Sequence, residues 1–443
     1  MEDHSARVDR ILREISNPLI RPGLSRMAKL LSKLGHPERT FRAVHVVGTN
    51  GKGSISAMLE SILLEAGYST CMYTSPHLAD IGERLRFSGV NARAEDLLPF
   101  VMAVAGMLET NSGPFEKPTY FETLTAAAFM AISSYVPDVA IIEAGMGGRM
   151  DATNILSNVS MTVISSLGSD HSEYLGHTLE AIAMEKFLVL RPEGMSVFSG
   201  GDRNLEDIYE TLCHKIANNG TVASQTGMTR NPSVGIDGNM FEISIDGGPW
   251  IEINTSLGGG FQLTNAVTAI IAASRLSLVY PLITLDPIRR GLAVTRWPGR
   301  LEKVKFGNGN LILDGAHNPD GISALADTFS LSGLSNSTAV VFGAMKDKDL
   351  KSMIRKICDS FPMIVFTAVP GSERSADPES LYRIAKDFNP SADLSIEMEP
   401  LTAIEKASKI FDTVLCCGSL FLAGAVKTAL GKKFPSGVPY EGK

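Results

Sequence analysis

The sequence predicts an α/β protein: a P-loop-type N-terminal domain on a mostly parallel sheet with a small antiparallel subsheet, then a smaller, Rossmann-like C-terminal α/β domain. Three observations carry this. From about residue 43 to 200, short β-rich apolar runs alternate with helical stretches, the pattern of βαβ units buried on both faces. Residues 220–260 break the pattern with short alternating stretches among Gly, Asn and Asp. The α/β pattern restarts after TRWPGRLE (295–302), whose Pro and Gly mark a linker.

In chain order, AVHVV (43–47) reads as a strand and ISAMLESILLEAG (55–67) as the helix after it. STCMYT (69–74) is a second strand, FETLTAAAFMAISSY (121–135) a helix, and VAII (139–142) and MTVISSL (161–167) are buried-type strands. TLEAIAMEKFLVL (178–190) reads as a helix and MSVFSG (195–200) as a strand. MFEISID and WIEIN form the expected antiparallel subsheet, and FQLTNAVTAIIAASRLS (261–277) returns to helix. Beyond the linker, 310–318, 338–344, 363–369 and 413–419 read as strands with helices between them. The expected split is therefore 1–297 and 298–443.

Composition narrows the function. Of 443 residues, 41 are Lys or Arg and 48 are Asp or Glu, a formal charge of −7 that disfavours a nucleic-acid coat or an anionic-membrane binder. Five cysteines at irregular spacing, with no CxxC, point away from a disulfide framework or a zinc knot. The polar N-terminus has no secretory apolar core, and no run of 18 apolar residues occurs. The expected location is the cytoplasm.

HVVGTNGKGS (45–54) is the strongest local signal. A strand, a Gly-rich turn and a helix start in succession aim backbone N–H groups and the positive end of the helix dipole at an anion. Lys52 is placed to reach terminal phosphates, and Ser54 to bond a phosphate or a Mg²⁺ water. Glu143 ends the strand 139–142, at the edge where open α/β sheets bind ligands, and as an oxygen donor it suits Mg²⁺. His171, in SDHSEYLG, and Ser75 and His77, in TSPHL, follow other strands toward the same edge. Glu143 and His171 each also fit a structural role taken singly; three strand ends meeting one phosphate loop favour ligand binding. Pattern alone makes Lys186, on a helix, a solvated lysine.

GTNGKGS, TSPHL, PTYFETLTAAAF, EAGMGGRMDATN, DHSEYLGHTLEAIAMEK, WPGRLE, DGAHNP and GSLFLAGAV occur in this order. Over about residues 20–425 the chain resembles the folylpolyglutamate synthase/dihydrofolate synthase family of the Mur ligase superfamily. The resemblance implies ATP-dependent amide formation through an acyl phosphate, joining L-glutamate to dihydropteroate, to reduced folyl-glutamates, or to both. It implies ATP phosphate binding by Asn50, Gly51, Lys52, Gly53 and Ser54, and further ATP contacts from Asn265, Arg300 and Asp314. Two Mg²⁺ sites are implied, one at Ser75 and Glu143, a second at Glu143 and His171, with Lys186 as a carbamate ligand. His317 is implied beside the acyl phosphate or glutamate, and Thr119, Phe121 and Asp151 around the pterin, which makes a bifunctional enzyme the expectation. Relatives are mostly monomers. The chain departs from the family at Phe187-Leu188-Val189, where Ala-Gly-Ile is usual, and at Ser25 of GLSRM, where the family has an acid. The rivals are a ligase with a non-folate acceptor, such as a peptidoglycan ligase with its UDP-binding domain, for which 47 residues before Gly48 are too few, and a nucleotide-binding module without ligase chemistry.

Overall fold

Backbone groups buried among apolar side chains need partners, and a run such as AVHVV, too short for a buried helix, finds them in neighbouring strands. In the computed structural model, which describes residues 4–19, 21–110, 116–168, 176, 178–389 and 391–433, this run is β1 (Ala43–Val47), with every residue buried. The same sheet holds β2 (Thr70–Tyr73), β3 (Leu85–Phe87), β4 (Val90–Asn91), β5 (Val139–Glu143), β6 (Val159–Ile164), β7 (Met195–Phe198) and β8 (Asn219–Val222), in the order β4-β3-β2-β5-β1-β6-β7-β8. β1 runs parallel to both neighbours, with His45 opposite Ile142 and Val46 opposite Glu143. β3 and β4 are antiparallel additions at one edge.

This order creates a switch point. The helix Lys52–Glu65 carries the chain from β1 past β5 to β2, whereas β5 leads across β1 to β6. The connections leave β1 and β5 in opposite directions, which opens a crevice at their carboxyl ends. The helix Lys52–Glu65 is buried over most of its length. Its outer neighbour, Leu285–Val294, approaches so closely that a Cβ on Gly291 would lie 2.6 Å from the Ile62 backbone. That contact is why glycine stands at 291.

The chain forms two compact units. One contains the residues up to Asn231, with Phe241–Asn254 and Thr264–Thr295; the other contains Pro232–Met240, Thr255–Leu263 and the chain from Arg296 on. The three-stranded sheet of β9 (Gly227–Val234), β10 (Asn239–Ile245) and β11 (Trp250–Thr255) has the meander order β11-β10-β9. Its turns group with the second unit because Asn239 Nδ2 donates to Gly259 O (2.9 Å) and Ile236 and Phe261 pack on that unit's core.

The second unit is built on β12 (Glu302–Phe306), β13 (Gly309–Leu313), β14 (Thr338–Phe342), β15 (Met363–Phe366), β16 (Asp393–Ile396) and β17 (Thr413–Cys417), in the order β12-β13-β17-β14-β15-β16. All pairs are parallel except the β12–β13 hairpin. The expected α/β architecture with an antiparallel subsheet is therefore found. Differences lie at element ends. The helix expected over 178–190 is Leu179–Phe187, because Leu188 leaves the helical path as its C-cap. His4–Ile15, whose polar composition masks a buried pair, Val8 and Leu12, is a further helix. Among the described residues no helix is long and apolar enough to cross a membrane.

Candidate active site

The phosphate loop is shaped by backbone conformation. Gly48 has φ +149° and Gly51, the N-cap of the helix Lys52–Glu65, has φ +89°, in the region that favours glycine. Neighbours would obstruct any side chain: a Cβ on Gly48 would lie 1.9 Å from Ser165 Oγ, and one on Gly51 2.2 Å from Asn265 Oδ1. Asn265, 3% exposed, thus braces the loop from the helix Gly260–Leu276. The Thr49 and Asn50 N–H groups donate to Ser166 O at 2.9 and 3.2 Å. Lys52 Nζ curls back to Thr49 O (3.1 Å), so its charge sits over the loop. Gly53 and Ser54 form the first turn of the helix, with Ser54 buried.

Glu143 ends β5 one strand away from this loop. Only 5% exposed, its carboxylate lies 3.9 Å from Lys52 Nζ and accepts from the Ser75 N–H (3.3 Å). The sheet thus brings Lys52, Glu143 and Ser75 together. Glu143 and the Ser75 hydroxyl are hard oxygen donors, which fits Mg²⁺, an ion that keeps several waters and takes phosphate oxygens from its substrate. His77, beside Ser75, accepts from Arg84 Nε (2.9 Å), and burial and the Arg84 charge lower its pKa to about 4. His171 lies outside the described residues.

Lys186 corrects the reading from pattern. It is 3% exposed, and its Nζ donates to Gly48 O (2.8 Å) and Gly147 O (3.5 Å). Helical periodicity missed this because both acceptors belong to loops distant in sequence. A Cβ on Gly148 would lie 3.0 Å from the Lys186 Cα, so the GMGG turn sits directly on this helix. Phe187, the first departure from the family pattern, is fully buried against Phe198 and Tyr209.

Thr119, Phe121 and Asp151 converge beyond β5. Thr119 is the N-cap of the helix Tyr120–Tyr135 and forms a capping box with Glu122. Glu122 in turn binds Arg26 through both carboxylate oxygens (3.0 and 3.1 Å), which gives the GLSRM segment a buried anchor. Phe121 is half-buried and stacks on Tyr73, with centroids 6.3 Å apart and planes at 27°. A Cβ on Gly145 would lie 2.6 Å from its ring. Asp151 accepts from the Met146 N–H (2.7 Å), the Thr153 N–H (3.0 Å) and the Thr153 hydroxyl (2.6 Å). Burial raises its pKa, and these donors oppose the rise. Arg26, Tyr73 and Thr153 were not singled out from sequence; the EAGMGGRMDATN run was the available signal for Thr153.

In the second unit, Asp314 follows β13 and is 2% exposed. It accepts from the Leu301 N–H (2.9 Å) and the Ala316 N–H (2.8 Å). Burial raises its pKa, and the Arg300 charge and these two amides oppose the rise. Leu301 is held at φ +47°, a strained value for a branched residue, by this bond and by its side chain in the core. Arg300 lies where a Cβ on Gly315 would be 2.3 Å from its Nη1, and His317 Nδ1 is 2.9 Å from Gly315 O. Arg300, Asp314 and His317 therefore share one loop cluster.

The Mur ligase middle domain matches residues 46–273, and the Mur ligase glutamate ligase domain matches 299–420. Fold and phosphate loop together define an ATP-dependent ligase of the Mur class. The dihydrofolate synthase/folylpolyglutamate synthase of Bacillus subtilis (strain 168) is 32% identical over 417 residues, 93% of this chain and 95% of its own. The folylpolyglutamate synthase of Lacticaseibacillus casei is 31% identical, over 92% of this chain and 94% of its own. The structure of Mycobacterium tuberculosis folylpolyglutamate synthase complexed with ADP has a TM-score of 0.87 at 28% identity, covering 97% of this chain and 98% of that one. The chain belongs to the dihydrofolate synthase/folylpolyglutamate synthase family.

Proposed function

We propose that this protein is a bifunctional glutamate ligase that uses both dihydropteroate and reduced folyl-glutamates, acting as a cytoplasmic monomer. In this reading 1–297 is the ATP-binding domain and 298–443 the glutamate-ligase domain. The observation that supports the ligase chemistry is the convergence of Lys52 and Glu143, 3.9 Å apart, at the switch point of the first sheet. An acceptor carboxylate oxygen attacks the γ-phosphorus of ATP, the bond to the β-phosphate oxygen breaks, and ADP leaves. The glutamate amine then attacks the acyl carbon, loses a proton and expels phosphate. Asn50, Gly51, Lys52, Gly53 and Ser54 hold the ATP phosphates, and Lys52 offsets charge on the transferring phosphoryl group. Asn265, Arg300 and Asp314 complete nucleotide binding, and His317 positions the acyl phosphate or glutamate.

Phe121 offers a flat face to a pterin ring. Asp151 accepts from the pterin's amino and ring N–H groups. Thr119 fixes the start of the helix that carries Phe121. Ser75, Glu143 and His171 are the candidate Mg²⁺ ligands, for two ions that would neutralise phosphate charge when bound. The Lys186 contacts suit an ammonium; its carbamate would place carboxylate oxygens against the Gly48 and Gly147 carbonyls, so Nζ would have to swing away. Activity that rises with added bicarbonate would support the carbamate, and indifference to bicarbonate would count against it.

The test of the reaction uses acceptors with ¹⁸O in the carboxylate, both dihydropteroate and tetrahydrofolyl-glutamate. One ¹⁸O per released phosphate is expected with each. Unlabelled phosphate would overturn the acyl-phosphate route, and labelling with one acceptor alone would overturn bifunctionality.

A further inference from the structure

β1 carries one polar side chain among apolar neighbours, His45, and it is fully buried. Its Nε2 lies 2.9 Å from Thr153 Oγ1, and Thr153 Oγ1 lies 2.6 Å from Asp151 Oδ1. The direction of each bond follows from the donors available. Asp151 already accepts a backbone N–H on each oxygen, which favours its carboxylate form, and a carboxylate donates nothing. The single Thr153 hydroxyl hydrogen therefore goes to Asp151. The hydroxyl oxygen must accept from His45 Nε2–H, which leaves Nδ1 as the bare nitrogen of a neutral ring. Among the described residues Nδ1 has no partner. Burial, aided by the charge of Arg191, keeps the ring neutral by lowering its pKa to about 3.

An apolar residue would fill this slot in the strand without leaving a buried nitrogen unpaired, a feature that calls for an explanation. The explanation lies at the other end of the chain of bonds. We propose that His45 is a positioning residue for acceptor recognition, acting through the Thr153 hydroxyl to fix the orientation and hydrogen-bonding capacity of the Asp151 carboxylate. This rests on the reading of Asp151 as a pterin-binding group. A hydroxyl that receives a hydrogen bond becomes the stronger donor, so His45 tightens the Thr153–Asp151 bond. Arg191 Nη2, bonded to Asn154 O (3.1 Å) and Leu156 O (3.0 Å), holds the far side of the same turn. β1 thus carries the phosphate loop at its end and the brace of the acceptor site in its middle.

The test measures steady-state kinetics with dihydropteroate, ATP and glutamate each varied in turn. Thr153→Val and His45→Phe are expected to raise the KM for dihydropteroate about tenfold, the loss of one hydrogen bond to a charged group, and to leave the KM for ATP within about twofold. Thr153→Ser, which keeps the hydroxyl, and His45→Gln, which keeps a donor near Nε2, are expected to stay within about twofold of the parent and serve if the larger changes do not fold. The double variant His45→Phe/Thr153→Val should match Thr153→Val alone. If Asp151→Asn raises the KM for dihydropteroate and the His45 and Thr153 variants do not, the positioning role is overturned and the reading of Asp151 stands. If Asp151→Asn leaves that KM unchanged, the reading of Asp151 itself fails. Additive effects, or KM values for ATP and acceptor rising together, would mark a general packing role and also overturn the proposal.

Discussion

The phosphate loop and the proposed acceptor side of the first unit lie at the ends of neighbouring strands of one sheet and are built in opposite ways. The loop is backbone: glycines at 48 and 51 in positions where a Cβ would strike Ser165 or Asn265, and a helix start behind them. The acceptor side is side chain: Tyr73, Phe121 and Asp151 come from three segments, and Asp151 is held by Thr153 and, through it, His45. An anion with many oxygens can be gripped by a short run of N–H groups. A flat heterocycle with a fixed donor pattern needs a ring face and an aimed carboxylate, which only tertiary structure assembles.

The largest expected effect separates chemistry from architecture. Lys52→Ala and Glu143→Gln should each lower kcat by roughly 10³-fold while the thermal transition stays within a few degrees, because in the proposed reaction Lys52 offsets developing phosphoryl charge and Glu143 would hold the Mg²⁺ that does the same. Near-normal turnover in either variant would break the assignment. Gly51→Ala should raise the KM for ATP by about tenfold and leave the KM for dihydropteroate unchanged, since only the loop pays for the left-handed conformation and the displaced Asn265. Phe121→Ala should do the reverse, raising the KM for the pterin acceptor about fivefold with ATP unaffected, as expected for a lost stacking face. A swap of these two patterns would contradict the division between backbone and side-chain recognition.

The smallest effect is in pH. His45 is neutral in the folded chain, with its pKa lowered to about 3, whereas in the unfolded chain it takes up a proton near 6.5. Its contribution to stability is whole above pH 6.5 and is lost as pH falls from there toward 3. Urea unfolding at pH 7.5 and 5.0 should show a stability loss larger by about 2 kcal/mol in the parent than in His45→Phe. Equal losses would show that His45 does not titrate in this way.

The same contrast explains what was legible in the sequence. HVVGTNGKGS announces strand, turn, lysine and helix in ten consecutive residues because backbone recognition is local. The parallel sheets were readable for a related reason: strands buried on both faces are continuous apolar runs, and β1, β5, β14 and β17 fall within the expected segments or differ from them by a few residues at their ends. Lys186 shows the limit. Its burial depends on the carbonyls of Gly48 and Gly147, 138 and 39 residues distant, and no helical pattern encodes them. Thr119 and Asp151 were singled out through family resemblance; their partners Glu122 and Thr153 are near neighbours in sequence, but Arg26 and His45 join these groups only by folding. The short edge strands β3 and β4 and the hairpin partner β12 are too brief and too polar to stand out as apolar runs. The turns at 232–240 and 255–263 group with the second unit through Asn239, Ile236 and Phe261, contacts that a linear split near 298 does not contain.

The most direct measurement is ADP release with Mg²⁺, ATP and L-glutamate, run in parallel with 7,8-dihydropteroate and with tetrahydrofolate. Turnover with both acceptors, absent when either acceptor or glutamate is withheld, is the expected result. Folded protein that binds ATP and yet releases no ADP with either acceptor would contradict the assignment of the Phe121–Asp151 side as a pterin site.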